Sequence, residues 1–290
     1  MRDVNSNRAT WKAVLKRERF LPLPVAHDAL TARLIERAGF HAYQIGGFAL
    51  VGAMHAVPDI DLDHLGENSE AARRIIASSS LPVLVDADDG YGDVKNVTRT
   101  VREYEYLGAS ALFMEDQRPP KRCGHMDNKQ VIDAAEMEKK VRAAVAARRT
   151  PDLFLLARTD AIQPLGLDEA LRRGERYLKA GADGIYLEGP RTESELERIG
   201  RAFHGVPLAT SVLERGGKTP WLAPREFERL GYSMVLYPST VIFQATNAIA
   251  RALRRLHDGQ PADVTESVDM DQFEEIVDLQ HWKEIEKRLG

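Results

Sequence analysis

The sequence predicts a (β/α)8 barrel, a TIM-type α/β fold, on three observations. A helical segment, a Gly and a short apolar run follow one another four times. Four further apolar runs bring the strand count to eight. Amphipathic segments separate the runs, at the spacing of roughly 30 residues per β/α unit that a barrel of about 250 residues requires. A doubly wound open sheet is the alternative. It usually needs fewer strands, and no G-x-G-x-x-G fingerprint follows the first strand here.

In chain order, the run 21–25 is the first strand and 28–38 the first amphipathic helix. Arg37-Ala-Gly39-Phe-His-Ala-Tyr-Gln-Ile45 is the first copy of the repeat. Gly just past a helix is the expected left-handed cap, and the apolar stretch after it reads as a buried parallel strand. The run 82–86 is the third strand, followed by a helix over 94–106. The second copy, Tyr106-Leu-Gly108-Ala-Ser-Ala-Leu-Phe-Met114, supplies the fourth strand. A helix over 134–147 leads to the fifth, 153–158. The segment 167–180 is helical and ends in the third copy, Lys179-Ala-Gly181-Ala-Asp-Gly-Ile-Tyr-Leu187. A helix over 193–203, a strand over 206–210 and the fourth copy, Arg229-Leu-Gly231-Tyr-Ser-Met-Val-Leu-Tyr237, close the set. The expected domain organisation is one barrel spanning 1–290 with a helical extension from about 262.

Composition narrows the function classes. With 43% apolar and 29% charged residues, the 290-residue chain can fill a core. A net charge of −4 argues against a nucleic-acid surface. A single cysteine excludes an internal disulfide and fits a reducing compartment. No run approaches the ~20 apolar residues of a membrane span, and the opening MRDVNSNRATWK has no signal core. A cytoplasmic location is the expectation.

Counting seven residues on from each capping Gly reaches Gly46, Glu115, Glu188 and Pro238. These equivalent positions belong at the C-terminal rim, where this fold builds its sites. Acids directly after strongly apolar runs are costly in a core and sensible at a ligand-binding mouth. Asp86-Ala-Asp88-Asp89-Gly-Tyr-Gly92 also ends a strand with carboxylates, the ligands a hard divalent cation takes together with water. Asp86 and Asp88, two apart in an extended chain, point the same way, and Glu115 can face the same spot. The plainer reading is an acidic surface turn. Arg158 ends another strand and suits a carboxylate or phosphate clamp, or else a structural ion pair. Glu214-Arg-Gly-Gly-Lys-Thr-Pro220 lacks the full phosphate-loop spacing, which disfavours a nucleotide.

The lone Cys123 lies in Glu115-Asp-Gln-Arg-Pro-Pro-Lys-Arg-Cys-Gly-His125. Its prolines mark a loop, and Lys121, Arg122 and His125 are expected to lower the thiol pKa. A structural cysteine is the bland alternative.

Taken in order, D-A-D-x-G-Y-G, E-D-Q-x(3)-K-R-C-G-H, A-R-T-D, L-E and E-x-G-G-K-T-P resemble the isocitrate lyase/phosphoenolpyruvate mutase superfamily. The resemblance runs from about residue 24 to 256. It is nearest the methylisocitrate lyase and 2,3-dimethylmalate lyase branch and the carboxyvinyl-carboxyphosphonate phosphorylmutases. It implies Mg2+, with Mn2+ as a substitute, on Asp86 directly and on Asp59, Asp88 and Glu115 largely through water. It implies Cys123 as general acid on a gating loop, supported by Lys121, Gly124 and His125, with Arg158 as carboxylate clamp and Glu188 as polar partner. It also implies a homo-oligomer, a dimer of helix-swapped dimers, in which the tail 262–290 serves the packing.

Two departures bear on the substrate. The superfamily's lyases carry Ser or Thr where this chain has Gly46, leaving the amide of Gly47 beside the bulk of Phe48. Where they place Asn, Thr210 and Ser211 stand here, both assigned to substrate binding. The implied reaction is cleavage of a 2-hydroxy di- or tricarboxylate to a 2-oxo acid. The alternatives are a phosphonate-forming mutase or oxaloacetate-type hydrolase on the same fold, and a catalytically silent barrel kept for binding.

Overall fold

A computed structural model describes residues 8–290; the first seven residues of the polar N-terminal stretch lie outside the described residues. Eight parallel strands run β1 Leu21–Pro24, β2 Tyr43–Ile45, β3 Val83–Asp86, β4 Ala111–Glu115, β5 Phe154–Thr159, β6 Gly184–Leu187, β7 Leu208–Ser211 and β8 Met234–Tyr237. Their order is β1-β8-β7-β6-β5-β4-β3-β2, and a single parallel bridge between Val25 and Gln44 joins the two ends. The result is a nearly closed (β/α)8 barrel, as the sequence predicts.

The capping glycines of all four repeats have positive φ: Gly39 at 85°, Gly108 at 94°, Gly181 at 109° and Gly231 at 95°. A residue with a Cβ is strained there, so the helix stops and the chain turns back into the next strand. Predicted helices shift at their ends by a residue or so: Ala29–Arg37, Val94–Leu107, Ala134–Ala147, Leu167–Lys179 and Glu193–Ala202. Period-two alternation divides the buried residues into two layers. Leu84, Phe113, Leu156, Tyr186, Ala209 and Leu236 pack with one another inside the barrel, together with Trp11 and Val14 of the helix Trp11–Glu18. Val85, Leu112, Leu155, Ile185 and Val235 face the surrounding helices.

The repeat does not announce every element. Two helices, Gly47–His55 and Leu65–Ile76, fill the connection between β2 and β3. The first follows its strand directly, with Gly46 as N-cap and a mostly apolar sequence that lacks a polar boundary. The described chain forms two compact units, one ending at Val241 and one from Ile242 to Gly290. Helices Met270–Ile276 and Leu279–Leu289 lie in the second unit. Among the described residues no helix is long and apolar enough to cross a membrane.

Candidate active site

Alternation inside the strands delivers the site. The residues that face inward lower in each strand are apolar, and the next inward positions toward the C-terminal ends are Asp86, Glu115, Arg158, Glu188 and Ser211. Glu115 and Arg158 are direct register partners across β4 and β5. Phe113 and Tyr186 lie beneath them as an edge-to-face pair with centroids 5.8 Å apart. The Arg158 guanidinium stacks over Tyr186, 5.2 Å from its centroid. An apolar floor of this kind strengthens every charge interaction above it, because water is kept away.

Arg158 is held on several sides. Its Nε donates to Asp160 Oδ2 at 2.9 Å and its Nη2 to Asp160 Oδ1 at 3.0 Å. Its Nη1 lies 3.1 Å from Glu115 Oε2. Burial would favour a neutral Glu188, yet the charges of Arg158 and His125 outweigh it and hold that carboxyl below its usual range. Tyr186 donates its hydroxyl proton to Glu188, and Ser211 donates to the same carboxylate at 3.2 Å.

The acidic residues converge, although not as extended-chain reasoning predicts. Strand β3 ends at Asp86, and Asp88 takes a left-handed conformation with φ 48°, so the two carboxylates are not related by strand alternation. The Asp88 amide donates to Asp86 Oδ1 at 3.0 Å, and the Asp88 carboxylate turns toward Lys121. Lys121 Nζ also meets Asp59 Oδ1 at 2.6 Å, so one buried ammonium stands between two acids. Burial would lower the Lys121 pKa, but the charges of Asp88 and Asp59 prevail and raise it well above the ordinary lysine range. Gly47 borders this group: its amide donates to Asp86 Oδ2 at 3.2 Å, and a Cβ there would lie 3.4–3.5 Å from Asp88, Asp86 and Lys121.

Among the described residues no three His, Cys, Asp or Glu side chains form a ready-made cage for an ion. The residues nevertheless fit a cation of the Mg2+ type, which takes one or two carboxylates and keeps several waters. Burial and the nearby Asp88 push Asp86 up to about 7, so its ionised form lacks compensation. Burial likewise raises Glu115 despite Arg158, and its Oε1 is buried with no hydrogen-bond partner among the described residues. Asp86 and Glu115 are therefore the side chains that would hold the ion. Asp59 and Asp88, which share the single charge of Lys121, would act through water.

The Cys123 loop lies over the mouth. Its ends are pinned by the Arg118 amide on the Gln130 carbonyl at 2.8 Å and by the Gln117–Val131 bridge. The Gln117 side chain receives the Arg122 amide at 3.0 Å and donates to the Arg122 carbonyl at 2.8 Å. The Cys123 amide donates to the Asp59 carbonyl at 3.1 Å. Gly124 rests on the site itself. His125 Nε2 lies 3.1 Å from Ser211 Oγ and 3.6 Å from Glu188 Oε1, while burial lowers its pKa. The cavity, about 50 Å³, is lined by Gly46, Phe48, Asp86, Cys123, Arg158 and Ser211 among others. That is room for a few waters, and the Gly124 segment rests against Arg158 and Glu188.

Two further sequence assignments need correction. The charges of Lys121, Arg122 and His125 do not bring the Cys123 pKa down, although the His125 amide works in that direction. Burial, followed by the Asp59 carboxylate, pushes it up to about 12, because Lys121 spends its charge on Asp59 and Asp88. The group is a protonated thiol. Thr210 does not reach the cavity either: Ala209 packs inside the barrel and Ser211 lines the site, so Thr210 between them faces outward. Its hydroxyl is buried without a partner among the described residues.

Sequence reasoning missed Asp160, Lys129 and Asp116. Asp160 lies just past the end of β5 at Thr159, so strand alternation does not place it. Asp116 accepts from Thr159 Oγ1, the Asp160 amide, Arg173 Nη1 and Tyr177 OH at 2.7–2.9 Å, and so braces the rim from behind. Its partners are far apart in the chain, and no local signal marks it.

A (β/α)8 barrel with carboxylates, an arginine and a loop thiol converging at its C-terminal mouth has the layout of a barrel enzyme, with its polar groups gathered where this fold builds active sites. The sequence pattern of the phosphoenolpyruvate phosphomutase family matches residues 12–257, and the chain is a member of that family. It is 39% identical over 280 residues to 2,3-dimethylmalate lyase of Eubacterium barkeri, covering 96% of each chain. It is 40% identical over 231 residues to 2-methylisocitrate lyase of Bacillus subtilis, covering 80% of this chain and 75% of that one. Among solved structures, an oxaloacetate acetylhydrolase bound to 3,3-difluorooxalacetate superposes with a TM-score of 0.91 at 29% identity, covering 96% of this chain and 95% of that one. A phosphonopyruvate hydrolase bound to oxalate and Mg2+ gives 0.85 at 31% identity, covering 96% and 97%.

Proposed function

We propose that the protein is a Mg2+-dependent carbon–carbon lyase that cleaves a 2-hydroxy di- or tricarboxylate of the 2,3-dimethylmalate or 2-methylisocitrate kind. The observation that carries the reading is the Cys123 thiol, kept protonated by its surroundings, lining the same cavity as Arg158 and Asp86. In the reaction a general base takes the hydroxyl proton, the bond between C2 and C3 breaks, and the hydroxyl-bearing carbon becomes the carbonyl of a 2-oxo acid. The electron pair of the broken bond passes to the other fragment as a carboxylate enolate, which needs a proton. Cys123 gives it, as a general acid kept neutral by its surroundings. Mg2+, when bound, supplies positive charge that binds the 2-hydroxy carboxylate and lowers the cost of the negative oxygen. Arg158 pairs with a substrate carboxylate, and its bonds to Asp160 fix the direction of its remaining N–H groups. Glu188, Ser211 and His125 form a hydrogen-bonded wall beside it. Closure of the Gly124 segment excludes water that would otherwise compete for the enolate.

Oxaloacetate hydrolysis is a second reading, favoured by the superposition on an oxaloacetate acetylhydrolase. Incubation with Mg2+ and each of 2,3-dimethylmalate, 2-methylisocitrate, oxaloacetate and carboxyphosphonoenolpyruvate, with products identified, decides between them. Pyruvate from either of the first two supports the lyase. Oxalate and acetate from oxaloacetate, with the other three unchanged, replaces it with the hydrolase.

Self-association belongs to the same proposal. In the helix Thr240–His257, Ile249, Leu253 and Leu256 are 59–66% exposed and fall on one stripe. Apolar stripes of this kind seek a partner surface, which supports the helix exchange the resemblance implies. A reducing, cytoplasmic setting fits the free Cys123.

A further inference from the structure

Lys129 takes no part in the chemistry above, yet its ammonium is buried at 5% exposure. It sits at the root of the Cys123 loop, one residue before Gln130, whose carbonyl receives the Arg118 amide. From there its side chain reaches toward the tip. Nζ donates to the Gly124 carbonyl at 2.5 Å and to Asp160 Oδ1 at 2.7 Å. Asp160 is fully buried and is the carboxylate that orients Arg158. The backbone of Asp160 is anchored in turn, its amide donating to Asp116 Oδ1 at 2.9 Å. One cation therefore touches the loop tip and the acid behind the arginine. An ammonium in this position needs both partners, because a buried charge that loses one is left undercompensated.

We infer that Lys129 is a positioning residue: it latches the Cys123 loop shut through the Gly124 carbonyl and shares Asp160 with Arg158. The loop tip is thereby tied to the same carboxylate that orients Arg158. The consequence for turnover rests on the lyase reading; the latch itself does not.

Cys123 is the only cysteine in the chain, so its alkylation reports how often the loop opens. Lys129→Met is expected to raise the rate of Cys123 alkylation by iodoacetamide about tenfold to hundredfold, the factor carried by a charge-assisted hydrogen bond. On the lyase substrate, kcat falls by a similar factor. Binding of oxalate with Mg2+ shifts by less than about threefold, since Asp160 still holds Arg158 through its own two bonds. Lys129→Arg, which keeps a donor to Asp160, recovers part of both effects. An alkylation rate within about twofold of the parent protein, with an unchanged melting temperature, overturns the latch. If the methionine variant does not fold, Lys129→Gln and native-state hydrogen exchange in the parent carry the test. The Cys123 and Met126 amides should then exchange more slowly in the parent than in Lys129→Gln, and equal rates in the two proteins reject the latch. Faster alkylation in the variant of a parent with no activity on any hydroxycarboxylate leaves the latch standing and removes the lyase reading.

Discussion

Gly124 and Arg158 are in direct contact, and the contact has no room for a side chain. A Cβ on Gly124 would stand 2.4 Å from Arg158 Nη2 and 2.8 Å from Glu188 Cδ. Neither neighbour can yield, since Asp160 and Glu115 hold the arginine and Tyr186 and Ser211 hold the glutamate.

Gly124→Ala therefore keeps the loop from seating, and turnover is expected to fall about hundredfold, the cost of misplacing a reacting group by about 1 Å. The barrel is untouched, so thermal melts should stay close to the parent while kcat drops. An active alanine variant would show that closure over Arg158 is dispensable.

Removing Lys121 tests the charge balance at the mouth. Lys121→Met leaves Asp59 and Asp88 buried with no cation between them. Breaking such a buried arrangement costs about 3–5 kcal/mol, which urea denaturation measures directly in the metal-free protein. Stability unchanged within about 1 kcal/mol would mean the two acids find compensation elsewhere.

The raised pKa of Asp86, about 7, gives the metal-free protein a definite pH dependence. A carboxyl whose folded pKa lies above its unfolded value contributes stability that is present below the ordinary carboxylate range and lost as pH rises through the folded pKa. The metal-free protein should lose stability between about pH 4 and 7 through this group. Mg2+ binds the ionised form, so its stabilising shift in melting temperature should be larger at pH 8 than at pH 6. A shift independent of pH across this window would exclude Asp86 as the ligand.

Ser211 and Thr210 separate by strand face alone. Ser211→Ala breaks the bonds to Glu188 and His125 and is expected to lower kcat/KM roughly tenfold or more. Thr210→Val removes only a hydroxyl with no partner among the described residues, and kinetics should match the parent. The reverse pattern in steady-state assays would place the wrong face toward the substrate.

The barrel was legible because its repeat is physical: a left-handed Gly ends each helix and an apolar run follows. Seven-residue counting reached Glu115 and Glu188 because every copy crosses the same distance from cap to rim. The site was legible wherever alternation carried it, as at Asp86, Glu115 and Arg158. It failed where the chain leaves the strand. Asp88 turns left-handed, and the Cys123 loop folds back so that Lys121 spends its charge on acids distant in sequence. Counting charges beside a cysteine cannot reveal that burial decides its pKa. Lys129, Asp116 and Arg173 reach partners 31–61 residues away, where local pattern is silent.

The most direct test is Cys123→Ser assayed for 2-oxo acid release from 2,3-dimethylmalate and 2-methylisocitrate with Mg2+. A serine hydroxyl is a far weaker acid than a thiol, so turnover should fall about hundredfold or more on whichever substrate the parent cleaves, while oxalate binding with Mg2+ persists. Full turnover in the serine variant would contradict Cys123 as the proton donor and with it the mechanism.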